Sequence, residues 1–173
     1  MELQGDGDRK ENQMNNIQKK FQEIMASAVE ETFENMAFLV IEQDNEKDML
    51  IGESEILKAS VLIYEPHQGE LCLTLSKGLA TEIAKTLYLL EDSDIAEQII
   101  TDVLKEILNV IAGQMMMRIL PEDTTFTLGI PETEIEGIMD PEARTVECRF
   151  TADGHLFSIV ASGENLLTFG LSG

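Results

Sequence analysis

The chain has 173 residues, 43% of them hydrophobic and 26% charged, a balance that supports one folded domain with a sizeable core. Its formal net charge of −21 works against nucleic-acid phosphates and anionic membrane surfaces, both of which recruit clustered Lys and Arg. No apolar run approaches the roughly 18 residues of a membrane span, and residues 1–16 are polar with no apolar signal core, so the expected location is the cytoplasm.

Residues 1–16 read as a flexible lead-in, with the folded domain over 17–173. A long helix is expected over 17–36, where Phe21, Ile24, Met25, Ala28, Val29 and Phe33 fall on one stripe. Strand-like segments follow over 38–42, 49–55, 58–64 and 70–75. A polar connection lies at 45–48, and a Pro- and Gly-bearing hairpin turn at 65–69. A helix over 79–89 comes next. Asp92, Ser93 and Asp94 are candidate caps for a second long helix over 95–119, which Pro121 closes. Strand character then returns over 124–130, and 146–150 and 156–161 pair across a tight Asp153-Gly154 turn.

Two stretches resemble one another. VLIYEPHQGELCLTLSKG (61–78) and VECRFTADGHLFSIVASG (146–163) align with Gly69 on Gly154, Leu71 on Leu156 and Gly78 on Gly163. Each closes a half that begins with a long amphipathic helix. The pattern predicts an α+β fold: an internally duplicated domain of two pseudo-repeats, about 17–90 and 91–173, with long helices packed on a mostly antiparallel sheet.

Several chemistries are not encoded. Cys72 and Cys148 sit in alternating strand segments and read as reduced core residues. His67 and His155 are isolated beside turns, and nothing has metal-ligand spacing. Phosphate-cradling loops, dinucleotide fingerprints and nucleophile elbows are absent, so no cofactor is expected on this chain.

The informative pattern is Asp102-x3-Glu106-x2-Asn109, followed by Pro131 after another 21 residues. Steps of four and three keep side chains on one helix face. With Asp102 at zero, Glu106 lies near about 40° and Asn109 near about −20°, while the apolar residues of the segment centre near about 160°. The three polar side chains therefore face away from the core. A mid-helix Asn on the exposed side breaks a local rule, because its side chain competes for backbone hydrogen bonds, and such breaks mark functional sites. Asn is no general base. It accepts and donates hydrogen bonds, so its natural catalytic role is to position a water. That role suits phosphoryl transfer, which depends on alignment and electrostatics.

The spacing, with the flanking Ile111-Ala112-Gly113, resembles the signature of the CheC/CheX/FliY family of bacterial chemotaxis phosphatases. The resemblance implies a substrate, a phosphorylated CheY-like receiver domain that carries its own Mg²⁺ and Lys. It also implies roles. Asn109 orients the attacking water, Glu106 pairs with the receiver's lysine, Asp102 fills a supporting position, and Pro131 sets a strand end or turn. In the first half, Ser27 and Glu31 are in register but the Asn position falls on Glu34, and Asn35 comes one residue late. A single site in the second half resembles the CheX branch, whose members are homodimers. The competing readings are a non-catalytic receiver-binding or flagellar-switch-like module and an acidic scaffold. Two features stay open. Gly113, on the face of Asn109, either admits a partner backbone or relieves packing. Met115, Met116 and Met117 either fill the core or form an adaptable surface.

Overall fold

The computed structural model describes residues 5–44, 55–133 and 143–169. Helix α1 (Gly5–Thr32) runs into a π-turn (Phe33–Ala37) that Phe38 ends in the left-handed region, φ 54°. The helix thus begins within the expected lead-in. Arg9, Lys10, Glu11, Gln13 and Met14 are strong helix formers, and no Gly or Pro interrupts residues 8–37, so the amphipathic stripe further on extends backward. After the reversal at Phe38, the first strand is short, β1 (Glu42–Gln43). The predicted segment 49–55 lies almost wholly outside the described residues.

The main strands are β2 (Ile56–Glu65) and β3 (Gly69–Ser76), joined through the expected turn. Helix α2 (Lys77–Tyr88) starts at Ser76, whose hydroxyl accepts from the Leu79 amide at 3.2 Å, as a helix N-cap should. The acidic cluster expected to cap the next helix instead forms its own 3-10 turn (Asp92–Asp94). Helix α3 (Glu97–Ile119) starts from Ala96 with no side-chain cap. The 3-10 turn is closed by the Asp94 amide on the Glu91 carbonyl at 3.0 Å and has no side-chain cap. Strands β4 (Thr127–Leu128), β5 (Glu132–Thr133), β6 (Thr145–Ala152) and β7 (His155–Ser162) follow, then a short helix α4 (Glu164–Leu167).

The sheet order is β1-β6-β7-β3-β2-β4, with β5 also on β2, and each of these pairings is antiparallel. Alternation assigns one face to the core: Ala59, Val61 and Ile63 on β2, Leu71, Leu73 and Leu75 on β3, Phe157, Ile159 and Ala161 on β7. α1, α2 and α3 pack on that face. Phe157 stacks on Phe33 at 4.5 Å and on Phe150 at 5.2 Å, which fixes the end of α1 over the middle of the sheet. Gly69 and Gly163 meet back to back. A Cβ on Gly163 would stand 2.6 Å from the Gly69 Cα, so neither position has room for a side chain.

The two hairpins correspond, but not in the register that their glycines suggest. Leu71 points inward at 0% exposure, whereas Leu156 points outward between inward neighbours. A one-residue shift matches Leu71, Leu73 and Leu75 with Phe157, Ile159 and Ala161. The side-chain period of two makes this the physically required choice. The longer turn over 64–68, against the Asp153-Gly154 turn, absorbs the difference. Asp153 (φ 47°) and Gly154 (φ 79°) are both left-handed, the geometry of a type I′ hairpin.

Cys72 and Cys148 are free thiols. Burial, reinforced by the Glu147 charge, pushes Cys148 up to about 12, so it stays a neutral thiol at physiological pH. Glu70 is the notable buried acid, 6% exposed, with Oε1 lacking a hydrogen-bond partner among the described residues. Desolvation raises its carboxyl above the ordinary range, and the Ser60 hydroxyl only partly offsets this. The folded state therefore holds that proton more tightly than the unfolded chain. The stability it contributes is full below the ordinary carboxyl pKa and falls as pH rises through the raised folded value. Glu70→Gln is expected to raise the melting temperature at neutral pH, with the gain vanishing near pH of about 4. Thermal melts at both pH values check this, and a Gln variant less stable at neutral pH would contradict it.

Candidate active site

Helix α3 lies between α1 and α2 and against β2 and β3. Ile100, Val103, Leu104, Ile107, Leu108 and Ile111 are all buried, which turns the opposite side outward. Asp102, Glu106 and Asn109 are solvent-exposed on that side, as one strip along the helix. Pro131 is not on this helix, although β5, which follows it directly, packs against α3. It is half-buried between β4 and β5, at the β2 margin of the sheet, where having no amide hydrogen suits a break between two short strands.

The three helical residues have different surroundings. Asp102 accepts a hydrogen bond from Gln98 Nε2 at 2.8 Å, and Lys105 Nζ stands 3.7 Å away. Glu106 accepts from the Tyr88 hydroxyl at 3.2 Å. Asn109 has no side-chain hydrogen bond among the described residues. The strip thus offers one carboxylate already engaged, one steered by a neutral donor and one unengaged amide. A hollow of about 340 Å³, lined by Tyr88, Leu90, Ile99 and Asp102, opens beside it.

Tyr88 is the residue that sequence reading missed. It is the last residue of α2, and Leu89, left-handed at φ 52°, turns the chain back toward α3. Partial burial and the Glu106 carboxylate raise the phenol above its ordinary value, so it remains a donor throughout the neutral range. A phenol orients Glu106 without cancelling its charge. Nothing in the spacing to Glu106 signals this pairing, because it arises from the α2–α3 turn.

The first helix holds no matching strip. Glu31, which the sequence reading set in register with Glu106, pairs with the Arg118 guanidinium, which also donates to Gln114 Oε1 at 2.8 Å. Asn35 lies in the π-turn, where the helix is already ending, and is exposed. The methionines divide: Met115 and Met116 are fully buried, while Met117 is 60% exposed. Among the described residues, no group of three or more His, Cys, Asp or Glu is arranged to hold a metal, and no helix is long and apolar enough to cross a membrane.

Helices on one face of an antiparallel sheet, with a polar strip on the second long helix, define a protein of the CheC-like α+β class. Residues 58–147, which span α3 and Pro131, match the family described as Chemotaxis phosphatase CheX, and the chain belongs to that family. The fold is similar to CheX from Vibrio vulnificus, with TM-score 0.67 and 17% identity over 83% of this chain and 96% of that one. It is also similar to CheX from Borrelia burgdorferi, solved as a CheX–CheY–BeF3–Mg complex, with TM-score 0.63 and 18% identity over 81% of this chain and 95% of that one. FliY from Thermotoga maritima shares the fold less closely, with TM-score 0.55 and 16% identity over 87% of this chain and 92% of that one. A comparison with curated proteins gives no match.

The Tyr88–Glu106 contact has a direct readout. In a Tyr64→Phe background Tyr88 is the single tyrosine. Adding Glu106→Gln is expected to lower the pH at which tyrosinate absorbance appears, because the neighbouring charge is gone. An unchanged titration midpoint would mean that the contact does not exist in solution.

Proposed function

We propose that this chain is a phosphatase for phosphorylated CheY-like receiver domains, in chemotaxis or a related two-component system of the cytoplasm. The observation that carries the reading is Asn109: an exposed, unengaged amide in the middle of a rigid helix, one turn beyond a steered carboxylate. Membership of the CheX family supports the activity, and the CheX–CheY complex of Borrelia burgdorferi supports the choice of partner.

The chemistry follows from what an aspartyl phosphate lacks. The receiver supplies Mg²⁺ and a lysine; what is missing is a water held in line with the phosphorus–oxygen bond to Asp. The Asn109 carbonyl accepts a hydrogen bond from that water and aims its lone pair at phosphorus. The new P–O bond forms as the bond to the Asp carboxylate breaks, and the water's proton leaves with inorganic phosphate. Glu106 pairs with the receiver lysine and fixes the register of docking. Asp102, tied to Gln98 and Lys105, supports the strip from one turn earlier. Pro131 serves the sheet margin and does not touch phosphate.

The site is single, in the second of two pseudo-repeats (about 17–90 and 91–173) of one domain over 17–173. The engagement of Glu31 by Arg118 supports this. The working form is a homodimer, as the CheX likeness implies. The alternative reading is a receiver-binding or flagellar-switch-like module with the same fold and no catalysis.

Phosphate release from a phosphorylated receiver in Mg²⁺ separates the two readings, since a binder gives no catalytic turnover. Asn109→Ala is expected to lower turnover by about a hundredfold or more while receiver binding persists. Glu106→Ala is expected to weaken binding and turnover together. Asn35→Ala should stay near wild type. Wild-type turnover in Asn109→Ala would end the water-positioning mechanism, and a large loss in Asn35→Ala would end the single-site assignment.

A further inference from the structure

Gly113 stands one helical turn beyond Asn109, in the interior of α3. Apart from Pro, Gly is the residue a helix interior tolerates least. Two reasons internal to the chain commonly justify it, and neither applies. Its backbone is helical, so no left-handed conformation demands it. A Cβ built on it would meet nothing within 4 Å among the described residues, so no neighbouring element among them needs the space. The packing explanation left open by the sequence is therefore removed.

Its position points to the remaining reason. On the helical wheel Asp102, Glu106, Asn109, Gly113 and Met117 fall within an arc of about 80°, with Gly113 near the middle. Along the axis the strip presents a carboxylate, an amide, bare backbone and then an exposed Met117 side chain. The Asn109 amide is carried on a single methylene. To bring it to a phosphoryl group set among a receiver's loops, the α3 backbone itself must come close to those loops. A side chain on the next turn would hold the helix off, and even one carbon adds about 1.5 Å.

We propose that Gly113 is a positioning residue: a bare seat on α3 against which the backbone of the phosphorylated receiver rests, setting the depth to which Asn109 enters. This rests on the receiver-phosphatase reading and adds to it the geometry of docking. The seat touches no phosphate itself and acts through Asn109. Displacement of about 1 Å at a reacting centre is enough to cost about a hundredfold in rate.

The test uses the full chain with Gly113→Ala and Gly113→Leu, and three measurements on each. Melting temperature is expected to stay level or rise, because both residues are better helix formers than Gly and a Cβ at this position meets nothing among the described residues. kcat/KM on the phosphorylated receiver is expected to fall several-fold for Gly113→Ala and about a hundredfold for Gly113→Leu. Affinity for the same receiver treated with beryllofluoride and Mg²⁺ should fall in the same order, whereas Asn109→Ala should bind nearly as wild type does. A drop in melting temperature for Gly113→Ala would return Gly113 to internal packing and overturn the seat. So would wild-type kcat/KM in Gly113→Leu alongside an inactive Asn109→Ala, with the phosphatase reading intact. Absence of turnover in the wild-type chain would instead remove the phosphatase reading beneath it.

Discussion

Ile100, Val103, Leu104, Ile107, Leu108, Ile111, Met115 and Met116 are at most 5% exposed, so α3 has no freedom to rotate about its own axis. Each such side chain contributes about 1.5–3 kcal/mol on burial. Asn109 and Gly113 on the outward side cost about 0.5–1 kcal/mol each in helix propensity. The inward face wins by a wide margin, so the helix carries two poor helix formers without fraying. The same burial aims the outward strip. A site on a loop would have to be ordered on each encounter, whereas this one is held by the core.

The two long helices differ in what they offer outward. Both lie on the inner face of the sheet, and the hairpins beneath share an inward pattern. On α1 the Glu31 carboxylate is drawn into a pair with Arg118 from the other helix, and the helix opens into a π-turn over Phe33–Ala37. An acid paired within its own chain has little left to offer a partner's cation, and a side chain on a terminating turn has no fixed direction. On α3 the acid is met by a phenol, which orients it and leaves its charge available.

In the proposed mechanism the cations come from the partner. Asp102 is partly neutralised by Lys105, and the chain as a whole is strongly acidic. Glu106 is the outward charge that is steered but uncompensated. In the proposed mechanism it sets register while Asn109, uncharged, approaches the phosphoryl group without repelling it. An acid at the Asn109 position would repel, and Glu34 is what the first half places there.

The sequence by itself determined the helices, the hairpins and the outward strip, because each depends on a period: 3.6 for α3, two for β3 and β7. It also carried Asp102, Glu106 and Asn109 through a spacing that local geometry translates directly into a shared face, whereas Pro131, off the helix, was marked only by the family resemblance. What it could not carry were relations between elements. The glycine-matched alignment of the hairpins missed by one residue, since turn length is free while strand parity is set by the core. The acidic Asp92–Asp94 segment signalled a cap, yet the chain used it for a separate turn, closed by the Asp94 amide on the Glu91 carbonyl. The early start of α1 depended on continuity with a stripe that begins further on. Tyr88 against Glu106, Arg118 against Glu31 and the open space at Gly113 were decided by tertiary structure alone, because each is set by how one helix packs beside another and not by the residues adjacent to it in the chain.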